Sequence, residues 1–561
     1  MAAERFDRSD LVLLLVAVIG GVLFFSSLDR LWPLADIDLQ VPPEKIEQVS
    51  RTFLIAQGIE VREHVAASRL EVDEELLDYL LRAFGHTETQ QLIRRGEPVY
   101  LYHVLFKRSG DPDSAWTLWH PRAGVVAWGR TMQEDAPGAV VEVEVARRTS
   151  ADAVAAAIGL RLGEFQESGE VERARPARRD HVFIYEHFLS RTPELRRRVT
   201  LTVAGGNLTA VQRELVIPEQ ARRDARQREA PVVALQMAGI LFVGAAGLIA
   251  LVVFLSRLQK REIMLKRAAG WVSLIALFFL ITQALRSADL LLRWDPLWPR
   301  WVATFQSLGF TLAQGAWIAF ALFVVIAAGD ALDRESGSGR GDSLWIAGRG
   351  EWLDHRVGLA SLRGFLIGLV CGGALVVTLL LMQTLAGAKV AIQPQAFFFF
   401  AINSDLPALS TLLYFLMVAL IEEIGYRFFA GTWLMSRTRS RLVAIAIPAL
   451  LYGTTHTGLG FIPPYEPFWG RAVAFTVVGC IWGWAFFRYD ALTVVLSHFA
   501  ADLFIFNWPR LGSGDPVMVT KAVLTFAVPL LPALLLLRPD RRRDPSDDRI
   551  REAGDARTKS S

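Results

Sequence analysis

Five ionisable residues lie inside long apolar runs and within one stretch of 81 positions: Glu422, Glu423, His456, His498 and Asp502. Charged groups in hydrocarbon are costly, and those that persist usually mark function. The chain has nine histidines. Seven fall in polar or connecting segments, and His456 and His498 are the two embedded ones. A carboxylate beside an imidazole can take a proton from water and return it to a leaving group. Two imidazoles and a carboxylate can also make a zinc shell with one open position, here His456, His498 and Glu422. No HExxH is present, so the zincin helix is excluded. With no thiolate or third histidine embedded nearby, the residues favour a site without a cofactor, and zinc stays open as the alternative.

Helical geometry predicts that these residues converge. Glu422 stands 15 residues before the basic loop Arg437–Arg441, and His456 stands 15 after it. At about 1.5 Å per residue each lies roughly 22 Å from the turn, so antiparallel helices put them at one depth. His498 and Asp502 are four apart and share a helix face. The adjacent glutamates point about 100° apart around their helix. Glu423 is spaced i,i+4 from Arg427, which suits an ion pair, whereas Glu422 has Tyr426 at that position. Glu422 is therefore assigned to catalysis, and Glu423 with Arg427 to support. Taken singly, either histidine reads as a packed core residue; the set is what points to a site. Tyr452 reads as packing, Gly479 and Gly483 as close helix packing, and aromatic runs such as Phe397–Phe400 as lipid-facing.

The elements that must hold these residues are membrane spans. Of the 561 residues, 52% are apolar, mean hydropathy is +0.32, and the apolar residues gather in runs such as Leu11–Leu28, Pro231–Ser256 and Val517–Leu537. Runs of about 18 or more suit a spanning helix. The expected fold is mainly α, a polytopic transmembrane helix bundle of about ten spans with an inserted α+β extracytoplasmic domain. The first span, in residues 1–29, reads as an uncleaved signal anchor. Residues 30–230 are polar and form the outer domain, in which a helix and a β-hairpin occur twice, Pro43–Gly58 with Val99–Lys107 and Ala115–Trp128, then Ser150–Phe165 with His181–Leu189 and Arg196–Val216. That order resembles the PepSY type of domain and suggests a ligand or regulator as its partner.

Nine further spans are read at 231–258, 268–286, 302–329, 357–384, 407–435, 442–460, 471–487, 491–507 and 516–537. They divide into an N-terminal bundle (231–384), a catalytic core (385–515), and a last span with a charged tail (516–561). Basic loops alternate along the bundle and put both termini on the cytoplasmic side of what reads as a bacterial plasma membrane; they need no nucleic acid. Only Cys371 and Cys480 are present, both in apolar runs, so no disulfide framework is available.

Three motifs now make a resemblance specific. Glu422-Glu423-Ile424-Gly425-Tyr426-Arg427 matches EExxxR, Tyr452 to His456 looks like FxxxH with Tyr in place of Phe, and His498 to Asp502 looks like HxxxN with Asp in place of Asn. In this order they resemble the CPBP family, the type II CAAX-processing and bacteriocin-processing intramembrane proteases. The resemblance covers about Pro407 to Asn507. It implies hydrolysis of a peptide bond in a membrane-associated protein or peptide, with Glu422 and His456 activating water and His498 and Asp502 stabilising the oxyanion or positioning the water. The family has been described both as glutamate proteases and as metalloproteases. Two other classes compete, a proton-coupled transporter and a non-catalytic membrane sensor or scaffold.

Overall fold

The computed structural model describes residues 8–31, 41–158, 160–189, 192–390, 403–457, 465–511 and 515–535. The Phe397–Phe400 run and the charged tail lie outside them. The first helix, α1 (Arg8–Leu31), packs along a later span. Asp10 on its first turn accepts two hydrogen bonds, at 2.9 and 2.8 Å, from the buried Arg363. Each charge in that pair is matched where water cannot reach it.

The inserted α+β domain, called the outer domain after its expected placement, then follows as two halves of like order. The first comprises α2 (Pro43–Ala56), β1 (Val65–Val72), α3 (Glu74–Arg94), β2 (Tyr100–Arg108), β3 (Asp111–His120) and β4 (Gly124–Thr131). The second comprises α4 (Val143–Ile158), β5 (Gln166–Arg175), β6 (Arg178–Leu189), β7 (Thr192–Ala204) and β8 (Asn207–Val216). The strands form one antiparallel sheet in the order β1-β2-β3-β4-β8-β7-β6-β5. Each half is a meander of four strands, and the halves join where Trp128 pairs with Val211 and Gly129 with Ala210. Alternate residues of β2 turn inward, and Val104 and Phe106 pack with Ile46 and Leu54 of α2 in the core.

Each half therefore has four strands, one more than the three that the sequence pattern marks, since Ala115–Trp128 and Arg196–Val216 each fold back on themselves as a hairpin. The outermost strands, β1 and β5, are the ones the pattern does not reveal; β5 is exposed along most of its length. The second helix also begins earlier than expected, at Val143, and ends at Ile158. Helix α3 has no counterpart in the second half and leans against the bundle.

Helix α5 (Glu219–Gln259) runs without a break from the sheet into the apolar region. The bundle continues through α6 (Leu265–Ala284), α7 (Ser287–Arg293), α8 (Arg300–Ser336), α9 (Asp342–Gly348) and α10 (His355–Ala386). It ends with α11 (Pro407–Thr438), α12 (Arg441–Thr455), α13 (Gly470–Arg488), α14 (Ala491–Leu511) and α15 (Pro516–Leu534). Among the described residues, nine helices are long and apolar enough to cross a membrane. The expected span at 442–460 is instead the 15-residue α12, about 22 Å long and short of a hydrocarbon core of roughly 30 Å. It stops where His456 leaves the helical conformation and turns its ring back on the last turn.

Candidate functional site

Helix α11 is regular from Pro407 to Glu423 and then widens into a π-helical stretch, Ile424–Gly431. Such insertions re-aim side chains and recur at functional sites. Glu422 and Glu423 are the last two residues before the change. Arg439, in the left-handed conformation, ends the helix, so α12 returns antiparallel after a turn of two residues. The predicted equal depth follows. His456 Nε2 stands 3.6 Å from Glu422 Oε1.

His456 is the C-cap of α12, and its Nδ1 lies 2.7 Å from the Tyr452 carbonyl. A carbonyl can only accept, so Nδ1 carries the proton and the Nε2 lone pair faces Glu422. His498 on α14 is buried. Its Nδ1 donates to Glu423 Oε1 at 2.7 Å, while Nε2 faces Glu422 Oε2 at 3.8 Å and Asp502 Oδ2 at 3.5 Å. Trp482 of α13 stacks on the His498 ring with centroids 4.2 Å apart, and its indole N–H donates to Ser497.

The two glutamates have different surroundings. Glu423 is 2% exposed and accepts from Arg427 at 2.9 Å as well as from His498. Arg427 in turn donates to the Gly479 carbonyl and lies over the Tyr452 ring at 4.8 Å. Glu422 is 22% exposed and opens on the cavity. Oε2 of each glutamate is buried without a hydrogen-bond partner among the protein groups, but Glu422 lacks the charge-paired bonds that hold Oε1 of Glu423. A carboxylate left so poorly satisfied has lone pairs to offer a water or substrate. Gly479 lets α13 approach, since a Cβ there would stand 3.0 Å from Ala449 and 3.1 Å from Arg427 Nη2.

Glu422, His456, His498 and Asp502 line one cavity of about 160 Å³, walled otherwise by apolar and aromatic groups that include Cys371, Phe415, Phe475 and Phe506. All six residues singled out from the sequence, with Glu423 and Arg427, are thus brought together on α11, α12 and α14. Tyr452, read as packing, does more than fill space: its carbonyl sets the His456 tautomer, and its ring lies 4.1 Å from that imidazole. Trp482 and Arg471 escaped notice. Arg471 is buried and donates to the Thr457 carbonyl at 3.1 Å; an arginine opening an apolar run was the available signal. Among the described residues, no group of three His, Cys, Asp or Glu side chains is arranged to hold a metal ion.

Fold and site together define a polytopic membrane protein with a carboxylate–imidazole cluster embedded among its last helices. Residues 404–504 match the family model described as type II CAAX prenyl endopeptidase Rce1-like. This bears out the resemblance read from the motifs and supports a membrane endopeptidase. The match spans just under a fifth of the chain and includes all six residues. No curated protein and no solved structure matches.

Proposed function

We propose that the protein is an intramembrane endopeptidase that hydrolyses a peptide bond in a membrane-associated protein or peptide, with a water activated by Glu422 and His456. The observation that carries this reading is the 3.6 Å separation of Glu422 Oε1 from His456 Nε2 at the wall of an apolar cavity. That gap is too long for a direct hydrogen bond, and both atoms can accept. A water bound between them would donate one hydrogen to each, leaving an oxygen lone pair for attack.

Glu422 takes a proton as the water oxygen bonds to the scissile carbonyl carbon, whose π electrons move to oxygen. With both ring nitrogens protonated, His498 would also turn an N–H on Nε2 towards the same cavity and stabilise that oxyanion. Glu422 then returns its proton to the amide nitrogen as the C–N bond breaks, leaving a carboxylic acid and an amine. Glu423, through its bond to Nδ1, orients the His498 ring. Asp502, 3.5 Å from Nε2, steers the proton on that side.

The same cluster in a proton-coupled transporter would relay protons without cutting peptide bonds. Purified protein is incubated with a library of quenched peptides and, reconstituted in vesicles, assayed for proton flux. The endopeptidase reading expects cleavage that Glu422→Ala abolishes. Flux without cleavage would reject it, and a Glu422→Ala variant with full function would point to a scaffold.

A further inference from the structure

Resting on the reading of Glu422 and His456 as the hydrolytic pair, we propose that the outer domain regulates this site by positioning His456, with Arg82 and Arg228 as its positioning residues. The pair's own geometry raises the question of what sets it. Across a gap of 3.6 Å the two side chains do not hold each other, so their separation is fixed by the backbones of α11 and α12. The domain is fastened to both.

The first fastening lies ten residues beyond His456. Glu466 is paired with Arg82 of α3 at 2.7 Å and with Arg228 of α5 at 3.4 Å. Both guanidiniums also reach Asp78, at 2.9 and 3.4 Å, and Asp78 is largely buried. Two cations, one on α3 and one on α5, thus share Asp78 of the domain and Glu466 of the short strand Tyr465–Glu466. Arg471, five residues beyond Glu466, donates to the carbonyls of His456 and Thr457 at 3.4 and 3.1 Å. A displacement of Glu466 therefore reaches His456 through the first turn of α13, which carries Arg471.

The second fastening is α5 itself. This helix leaves β8 and runs unbroken into the bundle, where Gly239 meets the last turn of α12. A Cβ at Gly239 would stand 2.9 Å from Thr455 N and 3.0 Å from Thr454 Oγ1, so the backbone of α5 bears on the residues just before His456. The third is Asn403, four residues ahead of α11, whose side chain pairs with the backbone of Leu70 in β1 at 2.9 and 3.0 Å. A movement of the sheet is thereby passed to the segments that carry both members of the pair. Catalytic groups must be held within a fraction of an ångström, and a displacement of about 1 Å can cost a hundredfold in rate. A ligand or protein bound to the outer domain can act on cleavage along this route.

The test uses the full chain in detergent with a peptide it cleaves. The variants are Arg82→Ala with Arg228→Ala, the same pair changed to Lys, Glu466→Gln, and Glu422→Ala. The expected result for the Ala pair is a fall in kcat on the order of tenfold, with KM within about twofold and the melting midpoint kept. Glu466→Gln should follow it, and the Lys pair, which keeps both charges, should recover most of the rate. The proposal is overturned if the Ala pair cleaves within about twofold of wild type. It is equally overturned if the rate is lost only in step with the melting midpoint, since the ties would then serve stability alone. Cleavage retained by Glu422→Ala would instead sink the hydrolytic reading on which this one stands.

Discussion

The adjacent glutamates give opposite predictions for stability and activity. Glu423 is fully enclosed and accepts from Arg427 at 2.9 Å and from His498 at 2.7 Å. Replacing it by Gln removes the negative charge that faces the buried Arg427 cation. Breaking a buried pair by removing one partner costs about 3–5 kcal/mol. The amide can still accept one hydrogen bond, so the lower end, about 3 kcal/mol, is expected. Glu422 has no charge-paired hydrogen bond; its nearest imidazole nitrogens stand at 3.6 and 3.8 Å. A neutral amide there relieves a desolvated charge, so Glu422→Gln should keep or slightly raise stability while removing the base. Melting midpoints in one detergent, read beside initial cleavage rates, separate the two. The expected result is a stable, inactive Glu422→Gln and a destabilised Glu423→Gln with residual cleavage. If Glu422→Gln melts well below wild type, or Glu423→Gln melts with it, the division of labour argued from these distances is wrong.

Three further outcomes follow from the same geometry. Gly479→Val adds bulk where a Cβ alone would already stand 3.0 Å from Ala449; overpacking of about 1–3 kcal/mol and loss of cleavage are expected, checked by the melting midpoint and kcat. Asp502→Asn keeps size and polarity 3.5 Å from His498 Nε2, so kcat should stay within about tenfold of wild type, whereas Asp502→Leu should lose much more. In the outer domain, burial raises the pKa of Glu186, but Arg198 and Arg196 outweigh it and hold the carboxyl below its ordinary 4.5. A pKa lowered on folding contributes stability above the ordinary value and loses it as pH falls through the folded value. Hydrogen-exchange protection in Arg178–Leu189 should therefore decline as the pH drops below that ordinary value, and Glu186→Gln should remove that dependence.

Much of the site was legible in the sequence because a short turn between two helices converts residue counts into depth. Fifteen positions on either side of the basic loop put Glu422 and His456 together, and the i,i+4 spacings of Glu423 with Arg427 and His498 with Asp502 survive in space. The bond from Glu423 to His498 was not legible, since it crosses 75 positions between helices whose relative rotation no local pattern reports. The π-helical stretch after Glu423 and the stacking of Trp482 on His498 are likewise products of packing. The same holds for Asp10 with Arg363, 353 positions apart.

In the outer domain, the inner strands show alternation, and the Gly205-Gly206 turn marks β7 and β8. Strand β5 stays hidden because Gln166–Arg175 is an edge strand rich in charge and exposed along most of its length. The span count changes at α12 because an apolar run does not say where a helix stops. There the His456 ring bonds back to Tyr452 and ends it.

The most direct test of the central claim is the initial rate of cleavage of one peptide substrate by wild type, Glu422→Gln and His456→Gln, each with and without a metal chelator. A Glu422–His456 water-activating centre predicts that wild type cleaves at the same rate with the chelator and that both variants are silent. Wild-type cleavage that the chelator stops and zinc restores, or cleavage that persists in Glu422→Gln, would contradict it.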